Sequence, residues 1–385
     1  MPKKILIIAG EASSDYHAAS LVKAINSIRD DINFFGIGGE DMQNAGVNVI
    51  YNIIDLAVIG PVDLIKYYNK LRRIYNDLCY RIKQDKPDCA ILIDYPGFNL
   101  KIAKDLKSQG IPVVYYISPQ IWAWGSGRIK KMKHLVDKML VFFKFEESLY
   151  QKEGIDVTFV GHPLLGTVKQ TKDRNELISQ FRLKPKKVTI GMLPGSRKDE
   201  VIRILPIMIK TAKLIQETMG TDNVQFLLPV AKTLEIKLVK DILKEVKSNI
   251  TIIEEDTYNA ISLCKVAMVA SGTATLETAL LGVPMAIIYK VGLFTYLVAK
   301  TVIIIRIPYI GLVNVVAGEK IVPEFIQYGA KPKFIAEYLL RLLKDGNYWQ
   351  KTKKQLLEIK SKLGAPGASM RAGKEVVDFL TTRCP

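Results

Sequence analysis

Short runs of apolar residues, rich in isoleucine and valine, alternate with longer amphipathic stretches along the chain. In the first half of the sequence these runs cover 5–9, 34–37, 90–93, 113–117 and 138–143. Continuous apolar runs of this length predict buried strands of a parallel sheet, and the amphipathic stretches predict the helices that cover its faces. The pattern therefore predicts an α/β fold whose first domain is doubly wound.

A polar interval separates this pattern from a second one. The alternation resumes at Val188, with apolar runs over 188–193, 225–229, 250–253, 266–270 and 285–289. A chain of 385 residues fits two domains better than one. We predict a Rossmann-like domain over 1–165, a linker over 166–187, a second Rossmann-like domain over 188–360, and a C-terminal helix over 361–385 as a candidate to pack on the first domain.

Composition narrows the class of protein. The formal charge of +17 fits nucleic acid, an anionic membrane surface or a phosphorylated substrate. Nucleic acid ranks last, because the sequence has no zinc finger and no RNP motif. Four scattered cysteines and three histidines predict neither a disulfide framework nor a zinc site. The apolar run at 5–9 is too short for a signal peptide, so we expect a cytoplasmic protein.

The loop after the first predicted strand is rich in small and acidic residues. In Gly10-Glu-Ala-Ser-Ser-Asp-Tyr-His17 the small residues allow a tight turn, and Glu11, Asp15 and His17 are candidate site residues at the edge of the sheet. The loop lacks the GxGxxG pattern of a dinucleotide site, and so does the glycine-rich segment at 36–39. Helix capping is the alternative role of Asp15.

Asp94 directly follows the buried run at 90–93, and Pro96 and Gly97 shape the turn after it. A carboxylate at the end of a strand can be partly desolvated, which raises its pKa and makes it a better base. Asp94 is therefore our leading general base. The alternative is that it only accepts backbone hydrogen bonds in a turn.

Two other segments of the first domain carry candidate chemistry. The loop at 115–124 holds two of the three tryptophans, which suit a sugar face or an acyl chain but are also common core residues. Gly161-His-Pro163 closes this domain, and His162 is either a hinge residue or a donor to phosphate.

In the second domain, two small-residue turns follow predicted strands. Gly195 and Ser196 can bring backbone N–H groups close to a diphosphate that Arg197 neutralises. The spacing does not match a Walker A loop, which argues against ATPase or kinase chemistry.

The second turn contains Ser271, Gly272 and Thr273, and Glu277 lies one turn into the following helix, where it could hold a ribose diol. A capping box is the alternative, but the separation of Thr273 and Glu277 is one residue too long for it. Because parallel strands present their carboxyl ends at one edge, we expect a nucleotide site in the second domain, an acceptor site in the first, and a cleft between them.

Taken together, the motifs resemble the lipid A disaccharide synthase family, glycosyltransferases of GT-B architecture. The matching segments extend over nearly the whole chain in family order: GEASSDYHAA (10–19), GIGGEDM (36–42), DYPGFN (94–99), YYISPQIWAW (115–124), GHP (161–163), LPGSR (193–197), SGTATLE (271–277) and GLVNVVAGEKIVPEFIQ (311–327).

The resemblance implies an inverting transfer of 2,3-diacylglucosamine from its UDP conjugate to the 6-hydroxyl of 2,3-diacylglucosamine 1-phosphate, without a metal or other cofactor. It implies that Asp94 and Arg197 are essential, and that Glu277 and Asn314 contact the nucleotide. Glu11 and His17 would then orient the acceptor. A homodimer is a further candidate.

Acylated substrates imply contact with the inner membrane at its cytoplasmic face, and two segments are candidates for it. The stretch 62–74 mixes leucine, isoleucine and tyrosine with lysine and arginine, as an interfacial helix or an ordinary surface helix does. The stretch 291–313 is long enough to span a bilayer, but Lys300 and Arg306 argue against a transmembrane helix. It could instead be core or an acyl-facing patch.

Two other classes of function remain open at this point. A UDP-sugar epimerase, or another GT-B transferase, would have a similar nucleotide half. The second is a basic protein that binds membranes or nucleic acid without catalysis, which competition by UDP against labelled donor would distinguish from a transferase.

Overall fold

The computed structural model describes residues 2–53, 64–119, 126–244, 249–292 and 308–383. The chain forms two compact units. The first combines 1–163 with 364–385, and the second covers 164–363. The predicted linker at 166–187 lies in the second unit; it contains one short helix, Arg174–Gln180, and the end of another, Leu164–Thr167.

The first unit contains, within the described ranges, a seven-stranded sheet in the order β3-β2-β1-β4-β5-β6-β7, and every pairing in it is parallel. Its strands are β1 (Lys3–Ala9), β2 (Ile32–Gly38), β3 (Asn48–Asn52), β4 (Cys89–Ile93), β5 (Val113–Tyr116), β6 (Lys138–Val141) and β7 (Val157–Phe159).

The helices of this unit lie between successive strands. They are α1 (Ala12–Asn26), α2 (Glu40–Asn44), α3 (Leu64–Asp85), α4 (Pro96–Ser108), α5 (Ser126–Met132) and α6 (Lys144–Lys152). Strand β4 is inaccessible over its whole length, because the sheet and its helices cover both faces. This burial explains why β4 is a continuous apolar run in the sequence.

The second unit repeats this architecture. Its described strands form a six-stranded parallel sheet in the order β10-β9-β8-β11-β12-β13. They are β8 (Val188–Leu193), β9 (Val224–Pro229), β10 (Ile250–Ile253), β11 (Val266–Ala270), β12 (Met285–Tyr289) and β13 (Glu324–Ile326).

Nine described helices accompany this second sheet. They are α7 (Leu164–Thr167), α8 (Arg174–Gln180), α9 (Lys198–Met219), α10 (Ile236–Leu243), α11 (Thr257–Ser262), α12 (Ala274–Leu280), α13 (Leu312–Ala317), α14 (Pro332–Lys344) and α15 (Gly346–Lys362). The two parallel-sheet domains of the predicted α/β fold are thus confirmed.

The C-terminal helix α16 (Ala368–Arg383) belongs to the first unit. It packs on α1 so closely that a methyl group added at Gly373 would lie 3.0 Å from Cβ of Ala24. Nε of Arg371 donates to the carbonyl of Val160 at 2.9 Å. The last segment of the chain therefore packs against the first domain.

The cap of α2 comes from α1. The carboxylate of Asp15, which is 4% exposed, accepts hydrogen bonds from the backbone N–H groups of Gly39 at 2.6 Å, Asp41 at 3.1 Å and Met42 at 3.2 Å. Asp15 is therefore a capping residue, as the alternative in the sequence analysis held, but of a neighbouring helix. It connects the motifs at 10–19 and 36–42.

We expect Asp15→Asn to lower the free energy of unfolding by about 1–3 kcal/mol, because a buried amide NH₂ would face backbone donors that need an acceptor. Chemical denaturation followed by circular dichroism measures this change. Asp41→Asn, at an exposed position of α2, the helix that Asp15 caps, is the control and should have a much smaller effect. Equal stability of Asp15→Asn and wild type would contradict the capping role.

No helix in the described ranges is long and apolar enough to cross a bilayer. Residues 293–307, which make up most of the apolar stretch at 291–313, lie outside those ranges, as do 62 and 63 of the basic amphipathic stretch.

Candidate active site

Asp94 stands at the end of the central strand β4 in a strained turn. Both Asp94 and Tyr95 have left-handed backbone angles, with φ of 47° and 45°. The carbonyl of Asp94 accepts hydrogen bonds from Nδ2 of Asn99 at 2.8 Å and from the hydroxyl of Tyr115 at 2.5 Å. Left-handed angles at non-glycine residues are unfavourable, and they persist where surrounding contacts fix them. The fold therefore fixes the backbone of Asp94 in this turn.

The loop after β1 meets this turn. The ring of Tyr95 lies against Gly10, where an added methyl group would overlap it. Gly10 is thus needed for the contact between the two motifs. Glu11 follows at the N-cap of α1 and is exposed. Since β1 and β4 are neighbouring parallel strands, Glu11 and Asp94 lie at the same edge of the first sheet.

Two of the three histidines of this unit, His17 and His162, are packed among aromatic rings. The ring centroids of His17 and Phe142 are 5.5 Å apart, and those of His162 and Phe143 are 5.2 Å apart. Burial lowers the pKa of His17 to about 4; burial, together with His17, lowers that of His162 to about 3. Both imidazoles are therefore neutral near pH 7, which argues against His162 as a charged phosphate ligand.

The tryptophan-containing loop after β5 lies largely outside the described residues. Ser118 and Pro119 are buried. Residues 120–125, which contain both tryptophans of the loop, lie outside the described residues. Ile117, just before them, has φ of 65°, an unfavourable angle for a β-branched residue. This backbone outlier lies at the same sheet edge as Asp94.

A cavity of about 680 Å³ lies at the carboxyl ends of the strands in the second unit. This volume is within the range of small-molecule sites. Seven of the eight predicted nucleotide-binding residues line it: Gly195, Ser196, Arg197, Ser271, Gly272, Thr273 and Glu277. Two turns far apart in sequence therefore contribute to one cavity.

The first turn connects β8 to the N-terminus of α9. Gly195 has φ of 113°, and a methyl group there would lie 2.5 Å from Oε2 of Glu200. The side chain of Arg197 is 73% exposed, and its Nη1 lies 3.6 Å from Oε1 of Glu200. The carbonyl of Ser196 accepts from Oγ1 of Thr233 at 2.7 Å, which attaches the loop after β9 to this turn.

The second turn connects β11 to α12. Oγ of Ser271 donates to the carbonyl of Ile310 at 3.0 Å, whereas Thr273 is exposed. Glu277 accepts a hydrogen bond from the hydroxyl of Tyr258 at 3.2 Å. Burial raises the pKa of Glu277, and the bond from Tyr258 lowers it less. Thr273 makes no side-chain cap bond to the helix, so the capping-box alternative is wrong.

Asn314 does not line this cavity, and its side chain is hydrogen-bonded within the protein. It is fully buried: Nδ2 donates to the carbonyl of Val322 and to Glu324, and Oδ1 accepts from the N–H groups of Ile321 and Val322. The contact between Asn314 and the nucleotide stays a prediction. Asn314 holds the segment before β13 in place.

Several residues of the cavity had no signal in the sequence. Lys169 and Lys232 line it, and so do Tyr258 and Asp256. Asp256 accepts hydrogen bonds from Nζ of Lys172 at 2.9 Å and from Gln180, which attaches the interval before β8 to the start of α11. These contacts join positions about eighty residues apart, so no local sequence pattern predicts them.

We expect Glu277→Gln to stabilise the second unit above neutral pH. Because burial raises the carboxyl pKa in the folded state, ionisation of Glu277 opposes folding as pH rises through that pKa. Glutamine stays neutral and keeps an oxygen for Tyr258. Thermal unfolding from pH 4 to 8 should show a higher Tm for the variant at pH 8, and the difference should vanish as pH falls below the unfolded-state value of about 4.3.

Glu254→Gln is the matched control, because Glu254 lines the same cavity but is exposed. Its melting temperature should follow that of the wild type across the whole pH range. A lower Tm for Glu277→Gln than for wild type at pH 8 would contradict the effect of burial.

Comparison with solved structures concerns the fold. S. aureus MnaA, in a co-structure with UDP, has a TM-score of 0.63 at 14% identity and covers 98% of this chain and 96% of its own. CalG4, the calicheamicin glycosyltransferase, has a TM-score of 0.60 at 13% identity and covers 100% and 99%. The predicted GT-B architecture is confirmed, since glycosyltransferases and UDP-N-acetylglucosamine 2-epimerases share it.

Sequence comparison separates these activities. A lipid-A-disaccharide synthase of Syntrophus aciditrophicus is 46% identical over 96% of both chains, and one of Coxiella burnetii (strain Dugway 5J108-111) is 41% identical over 98% of this chain and 99% of its own. The family model for lipid-A-disaccharide synthetase matches residues 5–374. The chain therefore belongs to the lipid-A-disaccharide synthase family and is a glycosyltransferase.

Proposed function

We propose that the protein transfers 2,3-diacylglucosamine from UDP-2,3-diacylglucosamine to the 6-hydroxyl of 2,3-diacylglucosamine 1-phosphate, in lipid A biosynthesis. The products are the β-1,6-linked disaccharide 1-phosphate and UDP. The observation that carries the proposal is the convergence of two phosphate-compatible turns and Glu277 on one cavity, in a chain of this family.

The second unit would hold the donor. A diphosphate fits the turn at Gly195 and Ser196, where backbone N–H groups and the N-terminus of the 22-residue helix α9 favour an anion. The exposed side chain of Arg197 can reach it. Glu277 would accept hydrogen bonds from the ribose diol beside the one that it accepts from Tyr258.

The first unit would hold the acceptor. Asp94 would remove the proton from the 6-hydroxyl, since its backbone is fixed at the strand end and its neighbours bond its carbonyl. Exposed Glu11 and neutral His17 would orient the sugar by hydrogen bonds. A neutral imidazole can both donate and accept, which suits sugar hydroxyls.

Transfer would proceed in one displacement with inversion at the anomeric carbon. The acceptor oxygen attacks the face opposite the diphosphate as the C1–O bond breaks, through an oxocarbenium-like state, and the proton moves to Asp94. Arg197, with Lys232 at the same cavity, would neutralise the charge that develops on the leaving diphosphate. We propose that these cations serve in place of a metal ion.

The acyl chains of both substrates imply that the enzyme works at an anionic bilayer surface. The net charge of +17 supports electrostatic attraction to such a surface. We propose peripheral attachment to the cytoplasmic face of the inner membrane.

Incubation of the protein with both diacyl substrates, followed by mass spectrometry, tests this function. We expect a tetra-acylated disaccharide monophosphate and an equimolar amount of UDP. Release of a free epimerised sugar from the donor alone, without disaccharide, would contradict the proposal and support an epimerase.

A further inference from the structure

A carboxylate of the protein itself contacts the turn at 195–197, to which the proposed function assigns the diphosphate. Glu200, at the third position of α9, reaches back over Gly195, and its Oε2 accepts a hydrogen bond from the backbone N–H of Ser196 at 3.3 Å. Its Oε1 lies 3.6 Å from the guanidinium of Arg197. The carboxylate thus contacts the same groups to which the proposed function assigns the leaving diphosphate.

Both contacts are longer than those of a well-formed charged pair. Charge-assisted N–H···O bonds usually measure about 2.7–2.9 Å. The side chain of Glu200 is 29% exposed and lines the cavity, so it has room to rotate towards solvent. Among the described residues, Glu200 is the acidic side chain that pairs with Arg197. A weakly held anion on the phosphate-binding groups can be replaced by a stronger one.

A phosphate and this carboxylate cannot use the turn together. Gly195 lies in contact with the glutamate side chain: a methyl group added there would lie 2.5 Å from Oε2 and 3.0 Å from Cβ, so Glu200 occupies the space beside the backbone of this turn. Two anions at neighbouring oxygen positions also repel each other in a partly desolvated cavity. Binding of one therefore opposes binding of the other.

We propose that Glu200 is an internal competitor for the donor diphosphate, which occupies the phosphate-binding turn in the free enzyme and returns to it to promote release of UDP. This inference rests on the proposed function. Glu200 is a positioning residue in this scheme: it holds Arg197 and the N–H of Ser196 while the cavity is empty, and it limits the affinity for the nucleotide product.

The alternative is a purely structural cap of α9, because a glutamate at the third helical position often bonds to a backbone N–H near the N-cap. Glutamine can make the same cap bond through its oxygen. Glu200→Gln therefore keeps the cap and removes the charge, which separates the two roles.

Isothermal titration calorimetry with UDP and with uridine tests the proposal. We expect Glu200→Gln to bind UDP about tenfold more tightly than wild type, because the competing charge near the diphosphate is gone. Binding of uridine, which has no phosphate, should be unchanged. The Ki of UDP as a product inhibitor should fall by the same factor as its Kd.

Glu217→Gln is the matched control, since Glu217 lies on the same helix, is exposed and pairs with Lys213 at 4.0 Å. It should bind UDP as wild type does. Equal or weaker UDP binding by Glu200→Gln, with uridine binding intact, would overturn the inference alone. Failure of the wild-type protein to bind UDP would instead overturn the proposed function.

Discussion

Asp94→Asn is expected to lower turnover about a thousandfold while the affinity for UDP stays unchanged. Asparagine has nearly the same shape as aspartate but cannot accept the proton of the acceptor hydroxyl. The contacts that fix this turn involve the carbonyl of residue 94 and the ring of Tyr95 on Gly10, so they persist in the variant. Steady-state kinetics with both substrates, beside calorimetry with UDP, measures the two quantities.

Asp88→Asn is the matched control for this variant. Asp88 precedes the same strand at its other end, where its carboxylate accepts a hydrogen bond from the N–H of Lys4 at 2.8 Å. Its replacement should affect stability more than turnover. Turnover by Asp94→Asn within tenfold of wild type would remove Asp94 as the general base.

Arg197→Ala is expected to lower turnover by about 10²–10³-fold and to weaken UDP binding, because the charge on the leaving diphosphate loses its cation. Arg197→Lys should recover part of both, since lysine keeps the charge but not the planar fork of donors. The comparison of kcat with Kd for UDP separates transition-state stabilisation from binding.

Lys198→Ala provides the control, because Lys198 is the adjacent exposed cation and does not line the cavity. It should leave both quantities near the wild-type values. If Arg197→Ala and Lys198→Ala behaved alike, the arginine would act through general electrostatic attraction and not at the diphosphate.

The central strands could be predicted from sequence because burial on both faces makes them continuous apolar runs. All ten predicted strands are present, and all their bounds agree within two residues. The missed strands are β3 (Asn48–Asn52), β7 (Val157–Phe159) and β13 (Glu324–Ile326), which form sheet edges. Edge strands are short and partly exposed, so their sequence lacks the apolar run.

The turns of the candidate site were predictable for a related reason. They follow buried strands directly, and parallel strands bring such turns to one edge of a sheet. Glu200 was missed although it lies three residues after Arg197, because its position fits a helix cap as well as a site. Lys169 and Lys232 come from loops whose approach to the cavity depends on tertiary contacts.

Family resemblance alone does not tell whether a residue contacts the ligand or holds neighbouring segments of the protein in place. The structure shows which hydrogen bonds such a residue makes within the protein. Asn314 belongs to a matching segment, but its buried amide satisfies neighbouring backbone groups and Glu324. Asp15 likewise connects two loops of the first unit. A motif therefore identifies the site region more reliably than it identifies the atoms that bind.

The stereochemistry and position of the new glycosidic bond test the central claim most directly. NMR of the product formed from both diacyl substrates reports the anomeric configuration and the linked carbon. Direct displacement, with Asp94 as base and a departing diphosphate, predicts a β linkage from the α-configured donor to the 6-hydroxyl of the acceptor. An α linkage, or a bond to another hydroxyl, would contradict this account.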